Sequence, residues 1–252
     1  MPAYDFRSPR LFVDAPLAEG AQVPLTPEQA NYLRNVLRLA PGDAVLVFNG
    51  REGEWRAALA SPSKKALALA VAERVREQAG ACDLHYLFAP LKHARLDYMV
   101  QKAVEMGASR LVPVITAHTR VERVNTARMR ANAVEAAEQC GILSLAEIAG
   151  PVKLAALIAA WTPDRLLVFC DEGADVKDPV AALAAARGDA WTGPLPLSVL
   201  VGPEGGFSEE ERAALRELPN VVRLALGPRI LRADTAAVAA LTLVQAVLGD
   251  WR

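Results

Sequence analysis

Long apolar runs and cysteines are scarce in this sequence, and each scarcity excludes a class of protein. Proline, glycine or a charge breaks every long apolar run, so none reaches the length of a membrane span. The first ten residues lack the apolar core of a signal peptide. The three cysteines lie far apart, without the spacing of a metal site. We therefore predict reduced thiols in a cytoplasmic protein without a membrane partner.

Several catalytic signatures are also absent. Neither a G-x-x-x-x-G-K-[ST] phosphate loop nor a G-x-G-x-x-G dinucleotide turn occurs, which argues against a nucleotide-binding oxidoreductase. The three histidines, His85, His93 and His118, lack ligand-like partners, so we expect no metal. No Ser/His/Asp or Cys/His set indicates a hydrolase.

Composition predicts a folded protein with a full core, since 52% of the residues are hydrophobic and 23% are charged. The net charge of −1 argues against a general nucleic-acid coat. The charge is uneven, however: residues 85–130 carry eight Lys/Arg against three Asp/Glu, and residues 131–252 carry ten against sixteen. The basic segment is either a local phosphate-binding face or a set of solvated helix faces.

Residues 1–78 are predicted to form a small, β-rich domain. Its expected strands are Arg10–Val13, Asp43–Phe48, Glu54–Leu59 and Leu67–Val75, with a hairpin turn at Asn49-Gly50. One helix is expected, capped by Thr26 and with Pro27 at its first position. On that helix Arg34 and Arg38 lie four residues apart, which predicts a shared face.

Residues 77–81 read as a linker, and residues 79–252 alternate strands and helices, which predicts an α/β domain with a mainly parallel sheet. The expected strands are Leu84–Leu91, Leu111–Ile115, Arg165–Cys170, Ser198–Val201 and Val221–Leu226. The expected helices are His93–Met106, one capped by Thr126 and running to about Gln139, Pro179–Arg187 and Ala236–Leu248.

A glycine-rich turn follows the strand Ser198–Val201 and reads G-P-E-G-G-F-S. Ser208 and Glu211 form the signature of a capping box, so a helix begins directly after the turn. Such a turn between a strand end and a helix start is where open α/β sheets bind small molecules. The alternative is an ordinary tight loop.

A second Gly-Pro loop follows Val221–Leu226 and reads G-P-R-I-L-R-A-D-T. Two adjacent strand ends of this kind could wall one pocket. The loop Asp171-Glu172-Gly173 is the expected third wall.

The pairing of G-P-E-G-G-F-S with L-G-P-R-I-L-R-A-D-T-A resembles the SPOUT class of methyltransferases. Within that class it is similar to the enzymes that methylate uracil N3 in small-subunit (16S) ribosomal RNA. Matching motifs extend from Arg10 to Thr235, including N-Y-L-R-N-V-L-R-L, Q-K-A-V-E-M-G and T-x-H-T-R. The resemblance implies a trefoil-knotted domain that binds S-adenosylmethionine, an amino-terminal PUA-like β-barrel that grips RNA, and a homodimer.

The resemblance also assigns candidate residues. For catalysis they are Arg232, Asp234 and Glu138; a cation beside uracil N3 favours its anion, and a carboxylate accepts its proton. For cofactor binding they are Phe169, Asp171, Glu172, Val201, Gly202, Pro203, Glu204, Gly205, Leu226, Gly227, Arg229, Ile230 and Leu231. For RNA phosphates they are Arg10, Arg34, Arg38, Lys102, Arg120 and Arg123.

The sequence departs from the family at two positions and leaves alternatives open. Asp234 stands where the family commonly has Glu, and Ile142 stands where it has Arg. Arg232 and Asp234 could instead form an ion pair at a helix start, and Glu204 could order its own loop.

The competing function is a non-catalytic RNA-binding or ribosome-assembly protein. The apolar helix Ala236–Leu248, with only Thr242 and Gln245 to face solvent, predicts a dimer interface or burial under the amino-terminal domain.

Overall fold

The computed structural model describes residue 5 and residues 8–63, 66–92, 94–121, 123–187 and 194–251. His93, at the expected start of a helix, lies outside these residues. The chain divides into two compact units. The first comprises the residues up to Gly80 together with Ala137–Leu145, and the second comprises Ala81–Ala136 and the residues from Ala146 onward. The sequence carries no local signal that assigns Ala137–Leu145 to the first unit.

The first unit contains a five-stranded sheet, one strand more than the four that its apolar runs predict. The strands are β1 (Arg10–Phe12), β2 (Gln22–Pro24), β3 (Ala44–Phe48), β4 (Glu54–Ser63) and β5 (Ala66–Arg76), in the spatial order β1-β3-β4-β5-β2. β1 runs parallel to β3, and the other pairs are antiparallel. The predicted hairpin between β3 and β4 is confirmed, with Gly50 at a φ of 83°.

The helical segment of the first unit is short. Helix α1 (Pro27–Asn31) begins at a capping box formed by Thr26 and Gln29, and a π-helical turn, Tyr32–Val36, continues it. Leu33 on this turn is fully buried in the core of the unit. Arg38 has a φ of 59° and lies beyond the last helical residue. The predicted shared helical face of Arg34 and Arg38 is therefore wrong, because the backbone turns left-handed at Arg38.

The second unit contains a sheet whose described pairings are all parallel, which confirms the predicted α/β class. Its strands are β6 (Leu84–Phe88), β7 (Arg110–Ile115), β8 (Glu147–Ile148), β9 (Val152–Lys153), β10 (Leu166–Cys170), β11 (Leu197–Val201) and β12 (Val221–Leu224). The order is β12-β10-β11-β6-β7-β8, and β9 pairs with β7. β10 and β11 are buried along their whole length, as is usual when both faces of a parallel sheet are covered.

Six helices complete the described part of the second unit, α3 continuing into the first. They are α2 (Ala94–Glu105), α3 (Thr126–Cys140), α4 (Leu154–Ala159), α5 (Pro179–Arg187), α6 (Glu209–Arg216) and α7 (Ala233–Val247). The predicted cap of α3 is wrong: Asn125, rather than Thr126, accepts a hydrogen bond from the backbone N–H of Arg128 at 3.0 Å. None of the helices in the described ranges has the length and apolar character that a membrane crossing requires.

The strand order decides which loops meet. β10 lies between β12 and β11, so the two Gly-Pro loops do not end adjacent strands. The expected third wall, the loop after β10, lies between them. Three neighbouring carboxyl ends of parallel strands therefore face the same edge of the sheet.

Helix α7 is more deeply buried than its sequence indicates. Gln245, expected to face solvent, is fully buried, and its Nε2 donates to the backbone carbonyl of Met106 at 2.7 Å. The side-chain amide of Gln245 tolerates burial because this hydrogen bond offsets the cost of removing it from water. Leu241 is also fully buried within the chain's own core, whereas Val238 and Leu243 are half-buried.

Candidate active site

A cavity of about 360 Å³ lies at the carboxyl ends of β10, β11 and β12. Three loops and the first turns of α7 surround it. Its lining residues are Cys170, Asp171, Glu172, Val201–Phe207, Leu224–Leu231, Ala233 and Ala236. The three strand-end loops that the sequence singled out therefore meet around one space.

The loop after β10 is fixed by a buried carboxylate. The side chain of Asp171 is fully buried, and it accepts hydrogen bonds from Arg223 at 2.7 and 3.0 Å and also from Arg212. Arg212, on α6, also pairs with Glu172. A buried charge must be paired in this way to be tolerated. The network ties the loop after β10 to α6 and to β12.

The glycines of the loop after β11 are required by close contacts. Gly206 has a φ of 68°, and its N–H closes a turn on the carbonyl of Pro203 at 3.0 Å. A Cβ at Gly202 would lie 2.5 Å from the ring of Phe207. That ring packs edge-to-face against Phe169, with centroids 5.0 Å apart. Phe207 thus anchors the loop on the core beneath it.

A second segment supports the same loop from outside. The Nδ1–H of His118 donates to the carbonyls of Gly205 and Gly206, at 3.0 and 3.1 Å. The N–H of Ala117 donates to Glu211 at 2.7 Å, and the other oxygen of Glu211 accepts from Ser208 in the confirmed capping box. A Cβ at Gly205 would lie 3.2 Å from the Cβ of His118, so any side chain there would require His118 to shift by a few tenths of an ångström.

The loop after β12 differs because its main chain is unpaired. Within the described ranges, residues 226–231 donate no backbone hydrogen bond to another residue. Backbone polar groups that line a cavity without partners are available to a ligand's hydrogen-bonding edge. Leu226 and Leu231 supply apolar surface beside them, and Ile230 is 96% exposed. The loop is suited to a flat group with polar edges and apolar faces.

The start of α7 carries the predicted acid–base pair. Arg232 occupies the N-cap position and is exposed, and Asp234 lies in the first turn, where its Oδ1 accepts the N–H of Thr235 at 3.0 Å. Among the described residues no ion pair joins Arg232 to Asp234, so the alternative of a helix-start ion pair is not realised. Neither residue lines the cavity, but Leu231 and Ala233 beside them do.

The structure gathers all of the predicted cofactor-binding residues except Phe169 around this cavity. Phe169 is fully buried in the core, where its ring supports Phe207. Glu138, by contrast, lies in the first unit, and its carboxylate accepts the backbone N–H of Phe12 at 2.8 Å. Glu204 is exposed, with an oxygen 3.6 Å from the guanidinium of Arg95.

The predicted RNA-binding residues fall into two groups. Arg34, Arg38, Arg120 and Arg123 are exposed. Arg10 is 9% exposed and is paired with the buried Glu54 at 2.8 Å, so its charge is directed inward. The ammonium of Lys102 bonds both carboxylate oxygens of Glu105 at 2.7 Å.

Sequence reasoning missed three residues that shape the site: His118, Arg212 and Arg223. Arg223 did carry a signal, because a charge within the apolar strand V-V-R-L requires a buried partner. Arg212 lies in an acidic helix and His118 in a polar loop, where nothing local distinguishes them.

The site offers no activated thiol. Burial raises the pKa of the Cys170 thiol to about 12, so the thiol is protonated at neutral pH. Within the described ranges Cys82, Cys140 and Cys170 form no disulfide. No group of three or more His, Cys, Asp or Glu side chains suited to a metal ion occurs within the ranges that the structure describes.

Comparison with known proteins gives the class of this chain. Residues 78–245 match the RNA methyltransferase domain, and residues 25–71 match the RNA methyltransferase PUA domain. The first match covers more than half of the chain, which therefore belongs to the RNA methyltransferase domain family. The predicted resemblance to RNA methyltransferases and the PUA-like character of the first domain are confirmed.

Individual relatives cover nearly the whole chain. The ribosomal RNA small subunit methyltransferase E of Rickettsia conorii is 26% identical over 94% of each chain, and that of Bacillus subtilis is 27% identical over 90% of this chain and 91% of its own. A Legionella pneumophila protein, solved in complex with the bound cofactor SAM, has a TM-score of 0.81 at 27% identity, covering 95% of this chain and 98% of its own.

Proposed function

We propose that this protein transfers a methyl group from S-adenosylmethionine to uracil N3 in small-subunit ribosomal RNA. The observation that carries the proposal is the cavity at the ends of β10, β11 and β12, with the unpaired main chain of residues 226–231 on one wall. The relatives named for small-subunit ribosomal RNA support the substrate, and the SAM-bound relative supports the cofactor. A ribosomal RNA substrate supports our assignment of the protein to the cytoplasm.

The residues around the cavity fit the cofactor. The unpaired N–H and carbonyl groups of the β12 loop suit the polar edge of adenine, and Leu226 and Leu231 suit its faces. Gly202 and Gly205 permit close approach of the main chain of the second loop. When bound, S-adenosylmethionine supplies a methyl group already activated on a sulfonium, so the protein needs only to align the acceptor and manage its proton. We assign the trefoil knot of the SPOUT class to this unit.

Arg232 and Asp234 are the residues that handle the proton. The guanidinium of Arg232 is exposed at the N-cap of α7, where it can lie beside the uracil imide and favour its anion. The carboxylate of Asp234 is half-buried in the first turn and can accept the N3 proton directly or through water. Glu138, in the first unit, is assigned to the substrate side.

RNA contacts are assigned to exposed basic residues of both units. Of the eight Lys and Arg between residues 85 and 130, four pair with carboxylates: Arg95, Lys102, Arg110 and Arg128. The other four, Lys92, Arg120, Arg123 and Arg130, are exposed and have no ion pair among the described residues. In the first unit, Arg34 and Arg38 are also exposed. Binding through such residues should weaken steeply as salt rises.

We also propose a homodimer built through α7. The half-exposed residues Val238, Ala239, Thr242 and Leu243 follow the helical period and form an almost wholly apolar stripe. A second copy of the helix is the simplest cover for it. Leu243→Glu should yield a monomer in sedimentation experiments, whereas Arg216→Glu, on α6, should not. A monomeric native protein at micromolar concentration would refute the dimer.

One experiment tests the activity. Ribosomal RNA from cells with and without the protein is digested and analysed by nucleoside mass spectrometry, and the purified protein is assayed with labelled S-adenosylmethionine. We expect 3-methyluridine only when the protein is present, and Asp234→Asn should lower the rate by about 10²-fold or more. Unmethylated RNA that the protein still binds would support the non-catalytic alternative instead.

Cofactor binding is tested separately by thermal shift with S-adenosylmethionine and S-adenosylhomocysteine. Ala225→Leu introduces bulk into the cavity wall and should abolish the shift. Ala246→Leu, exposed on α7 and remote from the cavity lining, is the matched control and should keep it. The absence of any shift in the native protein at saturating ligand would contradict the assignment of this cavity.

A further inference from the structure

A second cavity, of about 470 Å³, lies at the opposite ends of the strands in the second unit. His85 is the second residue of β6, Arg110 the first of β7 and Ser198 the second of β11. Register pairs His85 with both Ser198 and Arg110, so the three side chains lie in one row across the sheet. Helix α4 and Trp161 cover them.

Three polar atoms that belong to lining residues are buried without a partner. They are the hydroxyl of Ser198, the indole N–H of Trp161 and the Nε–H of Arg110, none of which has a hydrogen bond to any described residue. Ser198 is fully buried, in a strand whose other side chains are apolar. Buried polar groups are nearly always paired with protein, ordered water or a ligand, so three on one cavity mark a place where a polar molecule can be held.

The polar groups along this wall of the cavity favour a ligand that accepts hydrogen bonds. Trp161 Nε1 and Arg110 Nε can only donate, and the Ser198 hydroxyl can also donate. Arg165 also lines the cavity, with its guanidinium 2.8 Å from Asp83. Burial, aided by the nearby Arg165, lowers the pKa of His85 to about 4, so its imidazole is neutral at pH 7.

The rest of the wall is mostly apolar, with Thr162 as a further polar residue. Its apolar members are Leu87, Val112, Ala149, Gly150, Val152, Ala156, Leu157 and Ala160. Four of these residues, Ala149, Gly150, Ala156 and Ala160, have small or no side chains, which leaves room for a compact body. A ligand that fits must therefore combine an apolar group with oxygen acceptors at one end.

We propose that this cavity binds a small organic carboxylate with a compact apolar body, its oxygens placed between Ser198, Trp161 and Arg110. The site is separate from the one at the carboxyl ends of the strands, with no lining residue in common. The proposal does not depend on the methyltransferase assignment.

We use benzoate as the probe of this cavity. Toluene, which has the same aromatic ring but no carboxylate, is the control ligand. The four tryptophans give indole N–H signals in ¹H–¹⁵N correlation spectra, and Trp161→Phe identifies that of Trp161. We expect benzoate to shift the Trp161 signal in a saturable way, and toluene to shift it much less. Trp251→Phe, at a half-exposed position near the chain end, is the matched control and should leave the titration unchanged.

Ser198→Ala separates a binding role from a structural one. Because the hydroxyl has no protein partner, its loss should leave the melting temperature of the free protein unchanged or raised, while benzoate affinity falls about fivefold to tenfold. No saturable shift at Trp161, an equal effect of toluene, or unchanged benzoate affinity in Ser198→Ala would each overturn the proposal.

Discussion

Two neighbouring carboxylates allow a sharp test of what holds the first cavity together. Asp171 and Glu172 both contact Arg212, but the side chain of Asp171 is fully buried, whereas that of Glu172 is 57% exposed. Asp171→Asn removes the charge between Arg212 and Arg223 and leaves two guanidinium groups without their shared partner. Breaking a buried pair costs about 3–5 kcal/mol where the remaining charge stays desolvated. Arg212 keeps Glu172 and the Arg223 side chain is 32% exposed, so we expect the lower end of that range, about 3 kcal/mol.

Glu172→Gln removes the same charge from the adjacent position and is the matched control. An exposed ion pair contributes about 1 kcal/mol or less, because water screens it and solvates the partner left behind. Urea denaturation followed by circular dichroism should therefore show a midpoint lowered by more than about 1 M for Asp171→Asn and almost no change for Glu172→Gln. If the two variants lost the same free energy of unfolding, burial of the carboxylate would not be what decides its contribution to stability.

Three further predictions concern the same unit. The pKa of His85 is about 4 in the folded chain and 6.5 in the unfolded one, so the free energy of unfolding should fall by about 3 kcal/mol as the pH drops from 6.5 to 4. In acid titrations, His85→Gln should remove this contribution to the pH dependence of stability. An unchanged slope of stability against pH in that variant would contradict the prediction. Gln245→Leu leaves the carbonyl of Met106 unpaired and should lower the urea-derived free energy of unfolding by about 1–3 kcal/mol, which an unaltered midpoint would disprove. Ser208→Ala removes the cap of α6 and should cost about 1 kcal/mol in the same assay, with Ser208→Thr as the control that keeps a hydroxyl; equal losses would exclude the cap.

Local features of the chain followed from the sequence because near neighbours determine them. The capping box at Ser208 needs only Glu211 three residues later, and the hairpin at Asn49-Gly50 needs only a glycine that accepts a positive φ. The apolar runs of β10 and β11 identify buried parallel strands for the same reason. The loops after these strands were identifiable as a candidate site from their glycines and their position in the α/β pattern.

The tertiary structure alone decided which distant residues meet. The insertion of β10 between β12 and β11 placed the loop of Asp171 in the middle of the site, 41 residues from Arg212 and 52 from Arg223. It also buried Gln245 against Met106 and aligned Ser198 with His85 and Arg110. Such pairings depend on the order of strands and the packing of helices across the whole unit. A residue's neighbours along the chain carry no record of that order, so a charge such as Arg223 shows that it needs a partner but not which residue supplies it.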